Sequence, residues 1–139
     1  MKTKLLKLLV VMTISITAIF ALGLSASAET VGAFEVTGGT LNTDYTYADG
    51  VLTINSGTPL TIKNTDTQTP TTNRIEVAGG VSANITLAGV NIDVSSQSDT
   101  AAFKIADNST GNVTITLEDG TTNTLKSGDN CAGLQKNGA

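Results

Sequence analysis

Residues 75–78 (IEVA) have the same pattern as residues 103–106 (FKIA), 28 positions later, and this repeat is the main indication of the fold. A second match, at an offset of 30, joins residues 84–87 (NITL) to the run at 113–117 (VTITL). Strand and turn units that recur at roughly this spacing are typical of solenoids, whose coils stack on one another. The repeat therefore favours a stacked parallel β-helix. A β-sandwich is the alternative, with similar strand spacing but without matched offsets.

Within the repeat and on the N-terminal side of it, apolar side chains alternate with polar ones along most of the chain. The alternating apolar residues are Leu52 and Ile54, Leu60 and Ile62, Ile75 and Val77, Ile85 and Leu87, Val90, Ile92 and Val94, Phe103 and Ile105, and Val113, Ile115 and Leu117. A period of two is that of a β-strand with one buried face. Turn pairs such as Asp49-Gly50 and Asp119-Gly120 separate these segments,. The sequence predicts an all-β chain.

The stretch from residue 64 to residue 73 interrupts the alternation. It holds five threonines and one proline, and it has no apolar side chain to bury. Such a composition is typical of a surface loop, so we expect this stretch to be exposed. A glycosylated threonine-rich linker is the alternative.

The first 28 residues have the pattern of a secretory signal peptide. Lys2, Lys4 and Lys7 precede a 15-residue stretch, residues 8–22, that is apolar except for two threonines and one serine. Small residues then lead to a predicted cleavage site after Ala28,. An uncleaved membrane anchor is the alternative, but the stretch is shorter than the roughly 20 residues that cross a bilayer. We expect a signal helix and a secreted or cell-surface chain without membrane contact after cleavage.

Charge and residue inventory exclude several classes of function. After cleavage, 111 residues would carry five basic and twelve acidic groups, a formal charge of −7. No nucleic-acid partner is expected, because phosphate binding needs clustered Lys and Arg. The chain has no His and a single cysteine, Cys131, which excludes Ser-His-Asp and Cys-His catalysis and the usual zinc sites,. We expect Cys131 to be buried, with a reactive thiol as the alternative.

The mature chain divides into two parts. Residues 29–50 are expected to form an N-terminal cap segment, and residues 51–139 the first coils of a β-helical domain. Residues 131–139 resemble the start of a further coil that lacks a second strand and a polar cap. An uncapped solenoid exposes apolar strand edges. We therefore expect an N-terminal fragment whose β-helix is incomplete at its C-terminus.

Several segments resemble a family of bacterial exported proteins that carry a β-helical, pectate-lyase-like carbohydrate-binding domain. The segments are 34–40 (FEVTGGT), 44–47 (DYTY), 50–54 (GVLTI), 85–92 (ITLAGVNI), 123–128 (NTLKSG) and 133–138 (GLQKNG). They cover most of the mature chain. The resemblance implies a right-handed parallel β-helix in a cell-surface protein that binds polysaccharide. In that family further Gly-rich coils follow, and this sequence does not contain them.

The residues give little support to catalysis. Polysaccharide lyases of this shape hold calcium with Asp residues and use a Lys or Arg as base. The five basic residues after the signal are not accompanied by a clear Asp cluster; they are Lys63, Arg74, Lys104, Lys126 and Lys136. No spacing singles out a carboxylate pair for glycoside hydrolysis. We expect a protein that is not an enzyme.

Oxygen-rich turns make calcium a candidate ligand. The candidate calcium-binding residues are Asp93, Asp99, Asp107, Glu118, Asp119 and Asp129. Carboxylates and amides are the hard oxygen ligands that calcium takes, but none of these turns matches an EF-hand or a nonapeptide calcium repeat. The favoured interpretation is that Asp and Asn occur there because they cap turns.

Aromatic residues are few, and the chain has no Trp. Tyr45 and Tyr47 share one face of a predicted strand, so they are candidates for a small platform on which a sugar ring could stack. The favoured interpretation is instead that they cover the N-terminal end of the core.

These observations favour a non-catalytic, exported module that binds polysaccharide, with calcium as a candidate cofactor. A structural or adhesive repeat module with a protein partner is the alternative. A truncated enzyme similar to a polysaccharide lyase is the third hypothesis.

Overall fold

The computed structural model describes residues 27–107 and 110–136, which form twelve β-strands and no helix. The predicted signal helix falls outside these residues, apart from its last two positions. The strands are β1 (Ala28–Val31), β2 (Phe34–Thr37), β3 (Tyr45–Ala48), β4 (Val51–Ile54), β5 (Leu60–Asn64), β6 (Arg74–Val77), β7 (Asn84–Leu87), β8 (Asn91–Asp93), β9 (Phe103–Ile105), β10 (Thr114–Leu117), β11 (Thr124–Lys126) and β12 (Leu134–Lys136). The prediction of an all-β chain is confirmed. Within the same residues, no helix is long and apolar enough to span a membrane.

Successive strands are distributed over three sheets. One sheet has the order β1-β2-β5-β7-β10, the second has the order β12-β9-β6-β4-β3, and β8 pairs with β11 in the third. From β4 onward every pair formed with a later strand is parallel. A sandwich is built from antiparallel sheets, so this pairing disagrees with the β-sandwich alternative. We name the two five-stranded sheets after their middle strands, the β5 sheet and the β6 sheet, and the two-stranded sheet after its first strand, the β8 sheet.

The first three strands close one end of the core with antiparallel pairs. Strand β2 pairs antiparallel with β5, β1 pairs antiparallel with β2, and β3 pairs antiparallel with β4. The predicted cleavage site, Ala28, lies exposed at the start of β1, opposite Thr37.

The predicted alternation places apolar side chains in rows across the sheets. In the β6 sheet, Leu52 pairs with Ile75, which pairs with Phe103, and all three are fully buried. Each such side chain stabilises the fold by roughly 1.5–3 kcal/mol, because it leaves water. Strand β10 departs from the prediction, since its apolar residues are only partly buried or exposed.

Two large apolar side chains are exposed at the end of the core opposite the antiparallel strands. Leu117 is 62% exposed and continues the row of Leu87, and Leu134 is 48% exposed and continues the row of Phe103. No strand of the described residues pairs beyond β10 or β12. Cys131, near β12, is half-buried rather than buried as expected.

Candidate functional site

A groove lies where three successive connections run side by side. Strands β5, β7 and β10 are parallel neighbours, so the turns that follow them leave the same edge of the sheet. Between these turns is a hollow of about 290 Å³. Its lining residues are Thr67, Gln68, Ala88, Gly89, Gly120, Thr121 and Thr122, and we call it the turn groove.

The first wall of the turn groove is held by Asn64, the last residue of β5. Its side-chain Nδ2 donates to the carbonyl oxygen of Asn91 at 2.9 Å, and its Oδ1 accepts the backbone N–H of Asn91 at 3.2 Å. The Asn91 side chain in turn donates to the carbonyl oxygen of Thr67 at 3.1 Å. These bonds fix the threonine-rich loop to the following unit of the chain.

The opposite wall is held by Asn123. Its Oδ1 accepts the backbone N–H groups of Gly89 and Val90 at 3.0 and 2.8 Å, and its Nδ2 donates to the carbonyl oxygen of Leu87 at 3.2 Å. One side chain therefore satisfies three backbone groups of the β7–β8 turn. Buried backbone groups need such partners, because leaving them unpaired is costly.

The floor of the turn groove consists of Ala88 and Gly89. Ala88 is 8% exposed, and Gly89 has a φ of +96°, which favours glycine,. A Cβ atom at Gly89 would lie 3.2 Å from Cγ2 of Thr67. A small residue is thus needed for the loop to pack beside this turn.

The lining of the turn groove carries hydroxyl, amide and backbone groups, and no ionisable side chain. Carboxylates flank it in sequence: Asp66 precedes Thr67, and Glu118 and Asp119 precede Gly120. Hydrogen bonds from the Thr69 side chain and from the backbone of Gln68 and Thr69 hold the pKa of Asp66 below its usual value. The groove itself can offer hydrogen bonds and a small apolar floor.

The tyrosines do not form an outward platform. Tyr45 pairs with Ile54 and Tyr47 pairs with Leu52, so both side chains lie on the inner face of the sheet. Tyr45 is only 1% exposed, and the Tyr47 hydroxyl donates to Oδ1 of Asn73 at 2.7 Å. The two residues share one face as predicted, and that face is the core, which agrees with the favoured covering role and not with an outward sugar platform.

The candidate calcium ligands do not form one cluster, although the turns of Asp99 and Asp129 meet, with the Asp99 N–H donating to the Asp129 carbonyl oxygen at 3.2 Å. In residues 27–107 and 110–136, no three acidic or cysteine side chains come close enough to hold a metal ion. Asp93 pairs with Lys126 at 2.9 Å and Asp107 with Lys104 at 3.7 Å, while Asp99 accepts a bond from Asn130. The remaining candidates, Glu118, Asp119 and Asp129, are exposed turn residues. Calcium binding by these turns stays a prediction.

Asp93 has the role that turn capping predicts. Its Oδ1 accepts both the backbone N–H and the hydroxyl of Ser95. These bonds and the neighbouring Lys126 lower the pKa of Asp93 to about 2. Its carboxylate is therefore occupied in joining β8 to β11.

The sequence contained partial signals for the turn groove. Ala88-Gly89 and Asp119-Gly120 mark two of its turns, and residues 65–70 are exposed as predicted. Asn64 is different: it is 3% exposed, although the stretch 64–73 was predicted to be a surface loop. Nothing in a polar pattern identifies which asparagine turns inward to bind a neighbouring backbone.

No protein-family model, no curated protein and no solved structure matches this chain significantly.

Proposed function

We propose that this chain is a non-catalytic, exported module of a bacterial cell-surface protein, and that it binds polysaccharide in the turn groove. The finer fold that we propose is a right-handed parallel β-helix, as the resemblance to pectate-lyase-like domains implies. The passage of the chain from sheet to sheet, with parallel pairing at each return, supports it.

The composition of the turn groove carries the proposal. Thr67, Gln68, Thr121 and Thr122 present hydroxyl and amide groups that both donate and accept hydrogen bonds,. Sugar hydroxyls have the same dual character. The Ala88 and Gly89 floor gives a small apolar surface for the carbon–hydrogen face of a sugar ring. An open, uncharged groove of this kind suits a neutral polymer segment.

The absence of ionisable side chains from the groove lining supports a binding role without catalysis. Hydrolysis or elimination on a sugar needs a positioned acid or base. The carboxylates beside the groove are exposed turn residues, and no pair of them is set apart by burial. Uronate-release assays test this point, and activity on pectate would contradict it.

Export is proposed on the pattern of the first 28 residues, with cleavage after Ala28,. Mass spectrometry of the secreted protein would give the N-terminus directly. An N-terminus at Glu29 supports the proposal, and a chain retained with residues 1–28 contradicts it.

The binding experiment is a glycan array with the mature chain, followed by calorimetry with the best oligosaccharide. Gln68→Ala and Thr122→Val each remove one hydrogen-bonding group, which is expected to weaken binding about two- to tenfold. Thr116→Val is the matched control, because Thr116 is exposed on the outer face of the β5 sheet. No glycan signal, or equal losses in all three variants, would contradict the proposal.

A protein partner is the second candidate, and the exposed Leu117 and Leu134 favour it. Exposed apolar side chains beside strand edges are a common feature of protein contact surfaces. Cell adhesion without any glycan signal would favour this function over polysaccharide binding.

A further inference from the structure

The turn groove is uncharged inside but is flanked by carboxylates. Asp66 adjoins one wall, and Glu118 and Asp119 adjoin the other. None of the three forms an ion pair within the described residues. Asp66 is ionised at neutral pH like any exposed aspartate, and hydrogen bonds from Thr69 and Gln68 hold its pKa below the usual value.

Cations on the adjoining strands do not offset this charge. Lys63 of β5 pairs with Glu35 at 3.0 Å, and Lys126 of β11 pairs with Asp93 at 2.9 Å. Each lysine thus faces a carboxylate of its own sheet. The chain after the signal is also acidic throughout, with a formal charge of −7. The mouth of the turn groove therefore has a negative potential.

We propose that the turn groove selects uncharged glycans and rejects polyuronates and other anionic glycans. This inference rests on the proposed function and specifies its substrate class. It departs from a pectate-type ligand, because a chain of sugar carboxylates would meet Asp66, Glu118 and Asp119, beside which residues 27–107 and 110–136 place no unpaired cation. Like charges that approach one another suppress binding of the wrong partner.

The test uses pairs of oligosaccharides that share one backbone and differ only at C6, where a neutral hydroxymethyl group is replaced by a carboxylate. Glucan, mannan and galactan hexasaccharides are each compared with their C6-oxidised forms, which carry carboxylates on the same backbone. Affinities of the full mature chain are measured at about 0.01 M and about 1 M salt, where the screening length falls from roughly 30 Å to roughly 3 Å. We expect the oxidised partner of any bound glycan to bind at least tenfold more weakly at low salt, with a smaller difference at high salt.

Two triple variants distinguish the effect of the three flanking carboxylates on binding from the effect of net charge. The variant Asp66→Asn/Glu118→Gln/Asp119→Asn should leave neutral binding within about twofold and raise binding of the oxidised form. The control Asp49→Asn/Asp107→Asn/Asp129→Asn changes the net charge by the same amount at turns away from the groove lining. It should raise binding of the oxidised form much less.

The outcomes distinguish the two proposals. If the oxidised forms bind as tightly as the neutral ones, or only the oxidised forms bind, the selectivity is wrong while polysaccharide binding stands. If both triple variants raise binding of the oxidised form equally, a role for Asp66, Glu118 and Asp119 is contradicted. If no hexasaccharide of either kind binds, the proposed function itself is contradicted.

Discussion

The side-chain amide of Asn64 pairs with both backbone groups of Asn91, donating to its carbonyl oxygen at 2.9 Å and accepting its N–H at 3.2 Å. A side chain that is 3% exposed thereby acts as an added piece of backbone between two successive units of the chain. The register makes this contact necessary: Asn64 is the last residue of β5, and the β5–β7 ladder ends at Ile62 and Leu87.

Asn64→Ala should destabilise the fold by about 1–2 kcal/mol, because it removes the partner of the half-buried Asn91 N–H and one of two hydrogen bonds to the Asn91 carbonyl oxygen,. The second bond to that oxygen comes from the Thr71 N–H at 2.9 Å and remains. Urea unfolding followed by circular dichroism measures the loss. Asn84→Ala is the control: Asn84 is exposed on β7 and should change stability by less than about 0.5 kcal/mol,. An unchanged midpoint for the Asn64 variant would show that water or another group replaces the amide.

Gly89→Ala should cost about 1–2 kcal/mol, because φ is +96° and the new Cβ would press on Thr67 at 3.2 Å,. Two other glycines separate the backbone contribution to this loss from the contribution of the contact with Thr67. Gly80 has a φ of +77° with no atom within 4 Å of the added Cβ, so Gly80→Ala should show the backbone cost alone. Gly79 has neither constraint, and Gly79→Ala should be close to neutral. Equal thermal stability of all three variants would contradict this account of the groove floor.

Acid should weaken the link between β8 and β11. The pKa of Asp93 is about 2 in the folded chain, below the ordinary value of 3.8. The stability that its ionised carboxylate contributes is therefore present above pH 4 and is lost as pH falls toward 2. Asp93→Asn should therefore lower the melting temperature at pH 6. Between pH 4 and pH 2, its melting temperature should fall less than that of the parent chain.

Thermal melts across this range measure the effect, and an NMR titration of the Asp93 carboxyl gives its pKa directly. Asp107→Asn is the control, because its partner Lys104 lies farther away, at 3.7 Å. A wild-type acid profile for the Asp93 variant, or an Asp93 pKa near 4, would contradict the assignment.

Alternation predicted the strands well because a period of two places every second side chain on one face. Leu52, Ile75 and Phe103 are buried for that reason. The same pattern could not place Tyr45, since alternation alone leaves open which face of a strand turns inward. Its antiparallel pairing with Ile54, in the hairpin of β3 and β4 that packs on the core, decides this.

The candidate site was harder to predict than the strands. Turn composition marked Gly89 and Gly120, but the turn groove arises only because the turns after β5, β7 and β10 stack beside one another. The acidic turn residues were predicted as calcium ligands from composition. Their spacing in the fold depends on which turns stack, and Asp93 is already bonded to Ser95 and Lys126.

Amide chemical-shift mapping with a neutral hexasaccharide tests the central proposal most directly. We expect concentration-dependent shifts at Thr67, Gln68, Gly89 and Thr122, and the Gly89 amide is informative because Asn123 holds it in place. Saturation of these shifts at one dissociation constant would support polysaccharide binding in the turn groove. Shifts confined to the outer face of the β6 sheet, or no shifts with any neutral hexasaccharide, would contradict it.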